Sequence, residues 1–204
     1  MIILNIDKNI VAGILGLLIP SLAITLIGIS IFLASDWFDW RYYALSNLGA
    51  SKDSRLVFNS ALMIVGILII IYALFIIFET YRETKLFAIP SVILLISGVA
   101  LFGVGCYPMD TAPKTHWYFS VAFFTILGLS MLAYGMYYLH RKQYLLGLLG
   151  IVGFLNDLIV WKLVQWQELG ITGVAIPEAL SVSAPMIWLI TQSIMIFKQR
   201  KIPT

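Results

Sequence analysis

Apolar residues follow one another along this chain in long runs, and most polar residues collect between the runs. A hydrocarbon core of about 30 Å needs about 20 apolar residues for each helical span. Six runs of suitable length cover residues 10–34, 56–78, 86–107, 116–139, 144–167 and 176–197. The pattern therefore predicts an all-α, polytopic integral membrane protein, in which a bundle of six transmembrane helices forms a single domain over residues 1–204.

The composition supports the same class of protein. Hydrophobic residues make up 61% of the chain and charged residues only 11%, a balance far from that of soluble domains. The net charge is +3, but the basic residues stand at the ends of apolar runs. We therefore expect the lipid bilayer, and not a nucleic acid, as the partner of these charges. The single cysteine, Cys106, excludes an intrachain disulfide, and we interpret it as a small buried residue.

The distribution of lysine and arginine predicts the orientation. With the N-terminus inside, eight of the 13 basic residues lie on the cytoplasmic side, four lie outside, and Lys162 lies within a span. The positive-inside rule then predicts a multi-pass plasma-membrane protein with both termini in the cytoplasm. The loops at 35–55, 107–116 and 168–175 would all face the outside.

Residues 35–59 form the longest interval without an apolar run. This interval is rich in aspartates, aromatic residues and small polar residues between two strongly hydrophobic segments. We take Asp36, Asp39, Ser46, Asn47 and Asn59 as candidate ligand-binding residues, although Ser46 would also suit a cap on the connection to the second helix.

The last two spans carry polar stripes. A charge within a span costs about 2.5–3.5 kcal/mol and usually faces the bundle interior or a wet cavity. On a continuous fifth helix one stripe would comprise Asp157, Trp161, Gln165 and Glu168. A comparable stripe on the sixth helix comprises Glu178, Ser181, Pro185, Trp188 and Gln192. We expect the two stripes to face each other and add Asp157, Trp161, Gln165, Glu168 and Glu178 to the candidate ligand-binding residues. The alternative is that these carboxyls only join helices to one another.

Asp110 precedes the fourth span and His116 opens it, and a histidine beside a carboxylate suits a general base or a metal ligand. We take His116, Asp110 and Asp157 as the candidate catalytic residues. The alternative is that His116 serves only as a hydrogen-bond donor. The second histidine, His140, lies about 36 Å along the same helix and cannot share a metal with His116. We therefore assign no metal ligands, although His116 and the carboxylates would suit a hard cation such as Mn²⁺, Mg²⁺ or Ca²⁺. No cofactor is indicated.

Several short motifs resemble a known family. They are Ser46-Asn47-Leu48-Gly49, Phe58-Asn59 at the start of the second helix, Tyr107-Pro108 after a glycine-rich third helix, and His116. Together they resemble the largely archaeal, multi-pass family known as domain of unknown function 998 (DUF998). The resemblance implies a compact bundle of about six helices and implies no activity or catalytic residue.

These observations favour a binding protein. We expect a polar, carboxylate-containing cavity, open to the external side, that binds a small molecule, a lipid head group or a membrane-protein partner without catalysis. One alternative is a membrane-embedded hydrolase or transferase that acts on lipid at the outer leaflet, with His116 as base. A transporter or a structural subunit is another alternative, although the inner halves of the spans look mostly apolar, which disfavours a polar path across the membrane.

Overall fold

The computed structural model describes residues 8–80 and 88–199. Within these ranges every regular element is helical, and six helices are long and apolar enough to cross a membrane. The helices are α1 (Lys8–Leu33), α2 (Arg55–Thr80), α3 (Ala88–Cys106), α4 (Pro113–His140), α5 (Tyr144–Leu158) and α6 (Ala175–Gln199). The prediction of an all-α, six-span membrane protein is confirmed. Four of the eight basic residues that the topology prediction places on the cytoplasmic side lie outside the described residues, namely Arg82, Lys85, Arg200 and Lys201. The first two residues of the third predicted span lie outside them as well.

The six helices form a closed ring in chain order. Each helix packs against its neighbours in sequence, and α6 also packs against α1. The connections at 34–54, 107–112 and 164–174 meet at one end of the bundle, which we call the loop end. Contacts between distant residues join them there, for example the hydrogen bond from Thr172 N to Arg41 O. The turn at 141–143, the start of α1 and the end of α6 lie at the opposite end of the bundle, which we call the terminal end.

Glycines allow the close approach of α2 and α3. A Cβ atom on Gly66 would lie 2.7 Å from Phe102 N and 2.9 Å from Gly98 O, so no side chain fits there without a shift of the backbone. Lipid tails are as apolar as the helix surfaces, and helix association in a membrane therefore depends on close packing of this kind. The membrane-spanning window of the glycine-rich α3 is accordingly the most buried of the six described.

The fifth span departs from a continuous α-helix. A π-helical segment follows α5 at Ile159–Leu163, and Val164 then adopts an extended conformation with ψ of 126°. The bond from Val164 N to Ile159 O closes this wider turn, while the Trp166 indole donates to Val160 O at 2.8 Å. The predicted helix to Gln167 is therefore wrong beyond Leu163, because these bonds satisfy the terminal carbonyls and stop the helix.

Candidate functional site

A cavity of about 120 Å³ lies inside the ring of helices. Its walls come from α1, α2, α3, α4 and α6, together with a short 3₁₀ helix at Leu45–Gly49. The lining is almost entirely aliphatic and aromatic, as Ile19, Val65 and Leu101 illustrate. The sequence predicted a polar cavity, whereas the lining holds one carboxyl, that of Glu178, and the hydroxyls of Ser46, Ser120 and Tyr72.

Glu178 marks the loop end of this cavity. It lies in the first turn of α6, where it is partly buried, and its Oε2 accepts a hydrogen bond of 2.7 Å from the backbone N–H of Leu45. No basic side chain of the described residues forms an ion pair with it. The cavity wall therefore carries a partly buried carboxyl, to which the protein supplies a single backbone donor.

Side chains within the first loop hold the 3₁₀ helix in place. Asn47 Oδ1 accepts a hydrogen bond from Ala44 N at 2.7 Å, and Asn59 Nδ2 donates to Gly49 O at 3.0 Å. Ser54 Oγ donates to Leu48 O at 2.8 Å. Asn47 and Asn59 therefore shape the loop that covers the cavity and do not themselves line it.

Ser46 lines the cavity but does not cap a helix. Its hydroxyl lies 3.6 Å from Met109 Sδ, a long contact to a weak acceptor. The capping role considered from the sequence is therefore wrong, because the hydroxyl points to Met109 and not to a helix end.

The first loop and the segment before α6 pair with each other through their backbones. Arg41 O accepts hydrogen bonds from Thr172 N and Gly173 N, both at 2.8 Å, and Tyr43 O accepts one from Ala175 N at 2.9 Å. A Cβ atom at Gly173 would overlap the Tyr43 backbone. These bonds bring Leu45 to Glu178, which explains how residues so distant in sequence form one end of the cavity.

The two predicted stripes meet at a second site, between α5 and α6. Asp157 Oδ1 accepts a hydrogen bond from the Ser181 hydroxyl, and the Trp161 indole donates to Ser181 Oγ at 2.8 Å. Gly128 on α4 leaves room for the carboxyl, since a Cβ there would lie 2.8 Å from Asp157 Oδ2. This arrangement joins α4, α5 and α6, in agreement with the alternative that these carboxyls only join helices to one another. Asp157 and Trp161 do not line the cavity.

His116 and Asp110 do not form a pair. His116 is buried, and its Nδ1 donates to Tyr107 O at 2.9 Å, the hydrogen-bond donor role considered from the sequence. Asp110 forms an ion pair with Arg55, and this bond to the guanidinium lowers the pKa of the Asp110 carboxyl. The histidine therefore lacks the carboxylate partner that a general base of the predicted kind would use.

The remaining candidates lie on the surface. Asp36, Asp39, Gln165 and Glu168 are exposed, and Asp39 Oδ1 only accepts a local hydrogen bond from Arg41 N at 2.7 Å. Gln165 and Glu168 leave the predicted stripe because the helix ends before them. Cys106 is also exposed, so its interpretation as a buried residue is wrong. Among the described residues, no group of three histidine, cysteine or acidic side chains could hold a metal ion.

A buried polar cluster nearer the terminal end was missed from the sequence. The Tyr72 hydroxyl donates to Gln192 Oε1, and Gln192 Nε2 donates to the Tyr138 hydroxyl at 2.8 Å. A second pair joins Ser91 Oγ to the Tyr134 hydroxyl at 2.8 Å. This half of the bundle, which the sequence suggested to be mostly apolar, therefore also holds a polar cluster. Tyrosines inside apolar runs carry little signal until their partners are known.

The comparison with known proteins decides the family. The model of the family described as "Protein of unknown function (DUF998)" matches residues 17–195, which is most of the chain. The chain belongs to DUF998. No curated protein matches this DUF998 chain. No solved structure matches it either. The match covers all six spans of this DUF998 protein at least in part, and the resemblance noted from the short motifs is confirmed.

Proposed function

We propose that this DUF998 protein binds one slender, apolar chain from the bilayer in its central cavity and does not catalyse a reaction. The cavity is the observation that carries the proposal. Lining residues on α6 run from Glu178 to Leu189, eleven positions and therefore about 16 Å of helix. That length is about half of a hydrocarbon core of about 30 Å, which is the depth of one leaflet.

The size of the cavity favours a single narrow chain. An engineered cavity of about 150 Å³ accommodates benzene, and the volume of about 120 Å³ here is distributed along the bundle axis. A phospholipid with two chains would exceed this space. The ligand that suits this space is therefore a molecule with one alkyl, acyl or isoprenoid chain, whose polar group would lie at Glu178. About six of its carbons would occupy the cavity, and the rest of a longer chain would extend beyond it.

The candidate catalytic residues are all engaged with other groups of the protein, which favours binding without catalysis. Asp110 pairs with Arg55, His116 donates to a backbone carbonyl, and Asp157 accepts from Ser181. None of the three lines the cavity. We further propose, from the distribution of basic residues, that the loop end faces the outside of the plasma membrane and that the ligand comes from the outer leaflet.

Native mass spectrometry of the protein purified in mild detergent tests this proposal. Val65 lines the cavity, whereas its neighbour Ile64 is exposed on the outer surface of α2. We expect the wild-type protein and Ile64→Phe to retain a single-chain lipid and Val65→Phe to lose it. Ala61→Val offers a smaller obstruction of the same cavity if Val65→Phe does not fold. Equal retention by the wild-type protein and the folded cavity variant would overturn the proposal.

A further inference from the structure

We infer that the polar group of the bound chain is a cationic amine, which Glu178 recognises as a carboxylate. This inference rests on the proposed function and adds the chemical class of the ligand. It would make the cavity selective for long-chain amines over alcohols and fatty acids of the same length.

The first argument is the incomplete set of partners around Glu178. The carboxyl is partly buried beside apolar walls, and its hydrogen bond with the protein is the one to Oε2 from Leu45 N. A backbone N–H favours the ionised form of a carboxyl, while burial opposes it. No basic side chain of the described residues forms an ion pair with this group. A ligand cation would supply the missing positive charge, since buried charges are normally paired.

The second argument is the chemistry of the surrounding wall. Ser46, beside Leu45, is a lining residue, and its hydroxyl donates to Met109 Sδ, which leaves the oxygen able to accept a hydrogen bond from an ammonium group. The Phe58 ring also lines the cavity and lies close to Gly49, within the same 3₁₀ helix as Ser46. Aromatic faces attract cations, and carboxylate, hydroxyl and ring together are suited to an ammonium head.

A carboxylic acid head group would be disfavoured at this position. Two carboxyl groups in one apolar site repel each other when both are ionised. An alcohol could donate only one hydrogen bond to Glu178 and would leave the charge uncompensated. The three head groups are therefore distinguishable with chains of the same length.

The test measures binding of radiolabelled dodecylamine, dodecanol and dodecanoate at neutral pH to the full chain in nanodiscs of phosphatidylcholine. Empty nanodiscs give the background of simple partitioning. For the wild-type protein we expect dodecylamine to bind at least about tenfold more tightly than the other two, because charge-assisted hydrogen bonds are about twice as strong as neutral ones. This comparison needs no variant.

Glu178→Gln removes the charge but retains an acceptor for Leu45 N. We expect it to lose about tenfold or more in affinity for dodecylamine and to lose less for dodecanol, since dodecanol forms one hydrogen bond with residue 178 and no ion pair. Glu168→Gln is the matched control, since Glu168 is exposed at the same end of the bundle.

The outcomes separate the two proposals. If dodecanol or dodecanoate binds as tightly as dodecylamine, and Val65→Phe still abolishes binding, the amine inference is overturned and the proposed function stands. If none of the three binds above background, or if Val65→Phe leaves their binding unchanged, the proposed function itself fails.

Discussion

Glu178 accepts a hydrogen bond of 2.7 Å from the backbone N–H of Leu45, which lies 133 positions earlier in the chain. This bond joins the start of α6 to the 3₁₀ helix that covers the loop end of the cavity. We expect Glu178→Ala to lower the free energy of unfolding by about 1–3 kcal/mol, because it leaves a buried donor without a partner.

The measurement is the midpoint of thermal unfolding in mild detergent. Glu178→Gln should lose less stability because its amide oxygen can accept the same bond. The exposed Glu168→Ala should change stability by no more than about 0.5 kcal/mol. A stability of Glu178→Ala equal to that of the wild-type protein would show that the bond does not hold the loop.

Gly66 and Gly28 provide a test of helix packing. A methyl group at Gly66 would overlap the backbone of α3, whereas a Cβ at Gly28 meets nothing within 4 Å. We expect Gly66→Ala to cost about 1–3 kcal/mol through overpacking. Gly28→Ala should be neutral or stabilising by up to about 1 kcal/mol, since alanine has the higher helix propensity.

Both glycine variants can be compared by thermal unfolding in the same detergent. The difference between them isolates packing from helix propensity, because both positions lie within membrane-spanning helices. Similar midpoints for the two variants would contradict the close approach of α2 and α3.

The cluster of Tyr72, Gln192 and Tyr138 should stabilise the half of the bundle nearer the terminal end. Tyr72→Phe removes the donor to Gln192 Oε1, and Tyr138→Phe removes the acceptor of Gln192 Nε2. We expect each change to cost about 0.5–2 kcal/mol, the range of side-chain hydrogen bonds in membrane bundles.

A double-mutant cycle with Gln192→Leu measures this coupling. The effect of Tyr72→Phe should be smaller in the Gln192→Leu background, because the bond is already lost. Tyr118→Phe is the control, since Tyr118 is exposed. Additive effects of Tyr72→Phe and Gln192→Leu would indicate that the hydrogen bond contributes nothing.

The ion pair between Arg55 and Asp110 should depend on pH. The bond to the guanidinium lowers the pKa of Asp110 in the folded protein. A carboxyl of this kind contributes stability above its ordinary pKa of about 3.9, and the contribution is lost as the pH falls through the lowered folded pKa. We therefore expect Asp110→Asn to be slightly less stable than the wild-type protein at neutral pH and equally stable in strong acid.

Thermal unfolding at neutral and acidic pH provides the comparison, and added salt should reduce the difference at neutral pH because both side chains are partly exposed. Asp36→Asn, at an exposed aspartate, is the control. A difference between Asp110→Asn and the wild-type protein that persists in strong acid would rule out the ion pair as its cause.

Cysteine labelling tests the proposed orientation. In a Cys106→Ser background, Lys52→Cys places a thiol in an exposed loop at the loop end, and Lys142→Cys places one in the exposed turn at the terminal end. A membrane-impermeant maleimide applied to intact cells should label only Lys52→Cys, because the excess of basic residues keeps the terminal end inside. Labelling of Lys142→Cys alone would reverse the orientation.

The sequence by itself determined the fold class and the number of spans. The thickness of the hydrocarbon core sets the length of each apolar run, so local composition is sufficient to locate the helices. Periodicity also placed Ser181, Trp188 and Gln192 on the buried face of α6 correctly, because a helix turns by a constant angle for each residue.

The tertiary structure alone decided which polar groups meet. Helical spacing relates a residue to its own axis and not to a partner on another element, so nothing local connected Glu178 with Leu45 or Asp110 with Arg55. The same limit explains the end of the fifth helix, since the Trp166 indole bonds a carbonyl that a regular helix would use itself. The composition of the spans placed the protein in a membrane, and the packing of distant segments placed one carboxyl in an apolar cavity.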